Sequence, residues 1–447
     1  MKKNGKFLAA LIIFSLTGQV AWVVENMYFN VFIYKMFRAS ASDIALMVTA
    51  SAVAATLTTI LIGALSDRIG KRKIFMCGGY IAWGISILAF ALIRADVISS
   101  VFGTAAAAAS VGITLVILMD CVMTFFGSTA NDAAYNAWLT DSTDPTNRGA
   151  AEGINSMMPL VSILAVFGGF MGFDLDQASS WTVIYCIIGG LVLLVGILGF
   201  FLVEEVPVRN RDTLSYPATI LYGFRPSVVR GSAVLYLSMA AFMVFNISIQ
   251  VYMPYLIIYY EQTLKMPDYV LIMAPAILLA AAVTFFFGRL VDRFGFRKTV
   301  LPSMLLLLLG FLLLWLVPSV IPAEGLSMRI PVFIGSLLMM SGYLSGMAAF
   351  GTQLRNHTPE QMAGRFQGLR ILSQVLIPGI IGPQIGAWVL RDAPTVPNDD
   401  GTVSFLPSAD IFLAALVILL VLVAVLAAWL FRSGSRSRRE GADRRAG

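Results

Sequence analysis

Twelve stretches of this chain are apolar over about twenty residues or more, the length an α-helix needs to cross the hydrocarbon of a bilayer. They fall near 7–34, 44–66, 74–94, 108–139, 150–173, 181–203, 232–260, 269–291, 299–318, 331–354, 366–390 and 409–431. Hydrocarbon offers backbone N–H and C=O groups no water, so each stretch must satisfy its own bonds as a helix. The expected fold class is therefore an all-α membrane protein. Composition agrees: 58% of residues are hydrophobic and 13% charged, against about 25% charged in soluble domains. The run from Asp96 to Leu139 is too long for one ordinary helix, so its alanine-rich start, Thr104 to Ser110, is expected to project outside the membrane or form an extra turn. Lys2, Lys3 and Lys6 precede an apolar run that reaches Tyr34. A signal peptide's apolar region is only about 7–15 residues long, so this run reads as a retained first helix. Cys77, Cys121 and Cys186 lie in apolar runs without a CxxC pair, which argues against disulfide or metal chemistry.

Basic residues orient the spans. With the N-terminus placed in the cytoplasm and sides alternating, 25 of the 31 lysines and arginines fall on that side; Lys35, Arg38, Arg94, Lys265, Arg329 and Arg391 fall on the other. This predicts a multi-pass protein of the bacterial cytoplasmic (inner) membrane with both termini inside. The expected organisation is a six-helix half at 1–203, a polar, basic, proline-containing linker at 204–230, a second six-helix half at 231–431, and a basic tail at 432–447 whose composition predicts disorder.

The chain repeats itself. Gly63-Ala-Leu-Ser-Asp67-Arg68-Ile-Gly70-Lys71-Arg72-Lys73 follows the second span, and Gly288-Arg-Leu-Val-Asp292-Arg293-Phe-Gly295-Phe-Arg297-Lys298 follows the eighth. They are 225 residues apart, half the chain. A generic cytoplasmic loop explains the basic residues but not two glycines and an aspartate at fixed spacing, twice. The first glycine allows close helix approach, the second a tight turn, and the aspartate an ion pair near a helix end.

Both loops resemble the signature of the major facilitator superfamily, whose transporters have twelve transmembrane helices in two six-helix pseudo-repeated halves. The resemblance implies transport by alternating access, with Gly63, Asp67, Arg68, Arg72, Asp292 and Arg293 forming a cytoplasmic latch. Two further segments, Asn131-Asp132-Ala-Ala-Tyr135-Asn136-Ala-Trp138-Leu-Thr-Asp141 and Gly364-Arg365-Phe-Gln367-Gly368-Leu-Arg370, resemble the glycoside–pentoside–hexuronide:cation symporters and related sugar carriers. Asp132 matches an aspartate implicated there in cation binding. Three other acids of that branch correspond to Gln19, Ala55 and Thr59, so a sodium cage is not expected and a proton is the expected coupling ion.

Charges inside a membrane cost several kcal/mol and are functional candidates by default. Outside the loops, Glu25, Asp120 and Asp132 are such acids, and they form the proton-coupling candidates. The repeat offset pairs Glu25 with Gln250. Amides, carboxylates and aromatic rings together suit a neutral polyhydroxylated ligand. The candidate substrate-binding residues are Glu25, Asn26, Tyr28, Asn131, Tyr135, Asn246, Gln250 and Gln374, expected to converge on one central cavity. Polar glue between helices is the structural alternative for each. The expected partners are a sugar or glycoside, a proton and the lipid bilayer, with no nucleic acid, no cofactor and no metal, in a monomer. Nucleotide, HExxH and GxSxG motifs are missing, which disfavours an enzyme. An exporter of drugs or other small organic molecules, also proton-coupled, is the alternative.

Overall fold

The computed structural model describes residues 5–102, 105–143, 147–206, 222–320, 326–358, 369–398 and 401–446. Among them twelve helices have the length and apolarity to span a membrane: α1 (Gly5–Phe37), α2 (Ala41–Ser66), α3 (Arg72–Phe90), α4 (Ala107–Asp141), α5 (Ala150–Phe170), α6 (Ala178–Leu202), α7 (Ala233–Thr263), α8 (Val270–Phe294), α9 (Phe296–Val320), α10 (Ser327–His357), α11 (Leu369–Val389) and α12 (Asp410–Trp429). Every expected span is present. An even number of crossings returns the chain to its starting side, so both termini share one face.

Three local features depart from expectation. The stretch before α4 contains a separate short helix, Ala95–Phe102. A two-stranded antiparallel hairpin, β1 (Thr395–Pro397) with β2 (Val403–Phe405), interrupts the otherwise helical chain between α11 and α12. The tail expected to be disordered continues the α12 helix backbone to Ala446; arginine and alanine favour a helix that is already nucleated, and no proline stops it. Of the linker, 207–221 lies outside the described residues. Its end forms a 3₁₀ turn, Tyr222–Phe224, and a short helix, Pro226–Gly231, opened by proline.

The duplicated motif ends both helices at a glycine of positive φ, left-handed helical at Gly70 (ψ 18°) and extended in ψ at Gly295 (ψ 167°). Gly70 closes the helix of α2 at φ 75° and Gly295 closes α8 at φ 75°, a region where a Cβ is strained. The expected close approach at the first glycine is not made. A Cβ on Gly63 would meet only Ala133, at 3.9 Å, and one on Gly288 would meet nothing within 4 Å. The tight approaches lie elsewhere and are also duplicated. Gly84 lets α3 sit against α6, where a Cβ would fall 2.5 Å from Leu193 N; Gly310 does the same for α9 against α10, 2.4 Å from Met339 N.

Four of the five spans that border the centre, all but α2, are not uniform helices. π turns widen α1 at Val24–Tyr28, α4 at Ser128–Tyr135, α7 at Tyr259–Thr263 and α11 at Leu372–Leu376. Asparagine side chains support two of them. Asn26 and Asn30 donate to the carbonyls of Trp22 and Asn26 at 2.8 Å each, and Asn136 donates to those of Asn131 and Asp132 at 3.2 and 3.1 Å. Such bonds occupy carbonyls that a widened turn loosens. Pro254 adds a 3₁₀ turn, Met253–Tyr255, to α7.

Candidate functional site: a carboxylate-lined central cavity

A cavity of about 240 Å³ opens between the first six spans and the last six. Trp22, Glu25, Asn26 and Asn30 reach it from α1, and Met47, Val48, Ser51, Ala52 and Ala55 from α2. Asp120, Thr124 and Asp132 come from α4, Gln250 from α7, and Gln374, Val375 and Gly379 from α11. Three of the four π turns supply these walls, those holding Glu25, Asp132 and Gln374. Extra backbone at a π turn swings side chains that a regular helix would bury against its neighbours toward the lumen.

Six sequence candidates therefore meet: Glu25, Asn26, Asp120, Asp132, Gln250 and Gln374. Four do not line the cavity, because packing partners occupy them. Asn246 donates to Phe242 O at 2.8 Å within its own helix. The Asn131 side-chain Oδ1 accepts from the Tyr80 hydroxyl at 3.0 Å. Tyr135 donates to Asn155 Oδ1 at 2.9 Å. The Tyr28 hydroxyl faces that of Tyr269 at 3.1 Å. The last three are the interhelical bonds that polar residues make inside membranes.

Glu25 is the most constrained acid. Its Oε1 accepts from Ser51 Oγ at 2.9 Å and Thr124 Oγ1 at 2.7 Å, and those hydroxyls are 2.8 Å apart. Its Oε2 is buried without a partner among the described residues, as is Asp120 Oδ1. Asp132 Oδ2 accepts from Ser128 at 2.9 Å. No lysine, arginine or histidine lies among the lining residues. The lining therefore combines three carboxylates, four amides and one indole with an apolar wall. Ser51 escaped sequence reading because a lone serine in an alanine-rich helix carries no signal.

On the face opposite the termini, residues of the two halves are joined by direct contacts. There Lys35 at the end of α1 is buried between Glu261 of α7, to which it donates, and Asp176 of the α5–α6 loop at 3.1 Å. The Tyr28–Tyr269 contact lies beneath it, packed on Phe167 of α5. Tyr255 of α7 donates to Ala41 O at 3.0 Å, and Thr49 of α2 donates to Gly379 O of α11 at 3.3 Å. Sequence reading assigned Lys35 and Glu261 to loops. Their signal was opposite charge at matching ends of repeat-related helices.

On the termini face, Arg72 is buried, donating to Asp141 Oδ2 at 3.2 Å and Ser66 Oγ at 2.6 Å. These bonds tie the ends of α2, α3 and α4 within the first half. Arg68, Asp292 and Arg293 are exposed, and the Arg293 guanidinium lies over the Phe294 ring, 5.2 Å from its centre. The Asp67 side chain lies outside the described residues. Away from the cavity, Arg329 donates twice to Asp268, at 2.7 and 2.9 Å, and holds that carboxyl below the ordinary carboxylate range.

The family model of the Major Facilitator Superfamily matches residues 7–383. The chain belongs to the Major Facilitator Superfamily. No match was found among curated proteins. Similar solved structures of the superfamily's transporters share the fold. The xylose transporter XylE from E. coli, in a partially occluded inward-open conformation, has a TM-score of 0.68 at 12% identity, covering 95% of this chain and 98% of that one. The nucleoside transporter NupG gives 0.67 at 12%, covering 96% and 99%. A bacterial homolog of the human lysosomal transporter Spinster, inward-facing and unoccupied, gives 0.61 at 16%, covering 96% and 97%. In superfamily terms, this chain is a transporter of a small molecule across a bilayer, not an enzyme.

Proposed function

We propose that this superfamily member is a proton-coupled secondary transporter of a small organic solute, working by alternating access in the bacterial inner membrane as a monomer with cytoplasmic termini. The observation that carries the reading is Glu25: a carboxylate nine-tenths buried, held by two hydroxyls on one oxygen and bare on the other, in a cavity without a basic side chain. A buried carboxylate is tolerable when it holds a proton or faces a cation, and costly otherwise. Asp120 and Asp132 share the cavity and extend the same role.

Two solute classes follow from the sequence. Uptake of a sugar or glycoside is supported by Gln250, Gln374 and the Trp22 ring. It is weakened because Asn131, Tyr135, Asn246 and Tyr28 are engaged elsewhere and the amide groups of Asn26 and Asn30 are bonded to backbone. Proton-coupled export of another organic molecule is supported by the three carboxylates, and the geometry favours it. Proteoliposomes test the common core. An imposed pH gradient should drive uphill solute movement that Glu25→Gln abolishes; movement driven equally by sodium at fixed pH, insensitive to protonophores, would refute proton coupling.

A further inference from the structure

We propose that the solute is a monovalent organic cation, a quaternary or protonated amine on a flat apolar body; the proposal rests on the reading of this cavity as the transport site. Two observations carry it independently of the acids' number. Glu25 and Asp120 line the cavity, are only 7% and 2% exposed, and each keeps one buried carboxylate oxygen, Oε2 and Oδ1, without a hydrogen-bond partner among the described residues. The rest of the wall includes the aromatic Trp22 and the apolar Met47 and Val48. An uncompensated buried charge costs several kcal/mol. A neutral polyol supplies hydroxyl donors but leaves the charge; a cation removes it. The indole face attracts a quaternary ammonium by about 0.5–2 kcal/mol when water is excluded, and Met47 shapes itself to an apolar body. A quaternary ammonium has no hydrogen-bond donors, so it needs few acceptors beyond the carboxylates.

The balance with protons is simple. Each carboxylate is neutralised by one proton or by one cation, so the two compete: binding of the cation releases a proton, and a proton taken up on the opposite side releases the cation. That exchange is antiport.

The test uses the full-length protein in detergent and an isosteric pair, 3-hydroxyphenyltrimethylammonium and 3-tert-butylphenol, which differ in charge but hardly in shape. Calorimetry should show the cation binding at least about tenfold tighter than the neutral isostere, weakening as the pH falls from 8 to 5.5, with heats that vary with buffer because protons are released. Asp120→Asn should weaken the cation by about tenfold and leave the isostere unchanged. Equal affinities for the pair would overturn the proposal, as would binding of methyl glucoside with none of the cation. The wild-type comparison and its pH dependence stand even if the variant does not fold. Cation binding that is tight but releases no proton would uphold the solute class and overturn both the exchange with protons and proton coupling. Proton-driven sugar uptake without cation binding would do the reverse.

Discussion

At the scale of single residues, the site is a matter of which polar atoms have been left over. Glu25→Gln is nearly isosteric and keeps an acceptor for Ser51 and Thr124 while removing the charge. It should abolish proton-driven accumulation and leave the melting temperature unchanged or slightly raised, since a buried charge is removed at no loss of bonds. A lower melting temperature with normal accumulation would make Glu25 a structural member. Asp268 behaves in the opposite way, because its pair with Arg329 is about one-third exposed. Its carboxyl is held below the ordinary range in the folded protein, so the pair's stabilisation is present above the unfolded value of about 3.9 and lost as the pH falls through the lower folded value. Asp268→Asn should therefore lower stability at pH 7 by no more than about 1 kcal/mol, and the difference from wild type, read by thermal melting, should shrink on acidification below pH 4.

At the scale of elements, the duplicated loop is the part most open to mutation. Asp67→Asn should impair transport several-fold in proteoliposomes corrected for protein level, while ligand affinity in detergent stays intact, because a latch alters switching and not recognition. Normal turnover in that variant would remove the latch role. The same loop shows what a sequence can and cannot convey. Helix number and boundaries were legible because apolarity over twenty residues is a one-dimensional signal, and Gly70 and Gly295 were legible because a tight turn of positive φ favours glycine. Gly63 was misread, since closeness of two helices depends on the neighbour, here Ala133. Likewise Asn246 was a fair candidate by repeat arithmetic and proximity to Gln250, yet its side chain bonds to Phe242 in its own helix. The π turns that carry Glu25, Asp132 and Gln374 into the lumen rotate faces away from a regular helical wheel, so no 100° count finds them.

At the scale of the whole molecule, the face opposite the termini is held by a charge trio drawn from both halves. Removing one partner of a buried pair costs about 3–5 kcal/mol because the other is stranded, and here that cost falls on the closed state. Lys35→Met should shift the population toward opening on that face: spin labels at Ser179 and Arg391 should report longer distances than in wild type, and Lys35→Met combined with Glu261→Gln should recover part of the closed population. Unchanged distances would show that the aromatic and backbone contacts suffice. The composition of the cavity has one more consequence, an electrical one. Moving one elementary charge through the full field is worth about 2.3 kcal/mol per 100 mV. Three acids without a basic partner mean that the unloaded carrier, whenever it is ionised, carries net negative charge through part of that field as it turns, whereas a carrier neutralised by its cargo does not. In the exchange proposed above the carrier crosses holding either the cation or the proton, so coupled turnover should be insensitive to voltage and only slippage of a carrier holding neither should sense it.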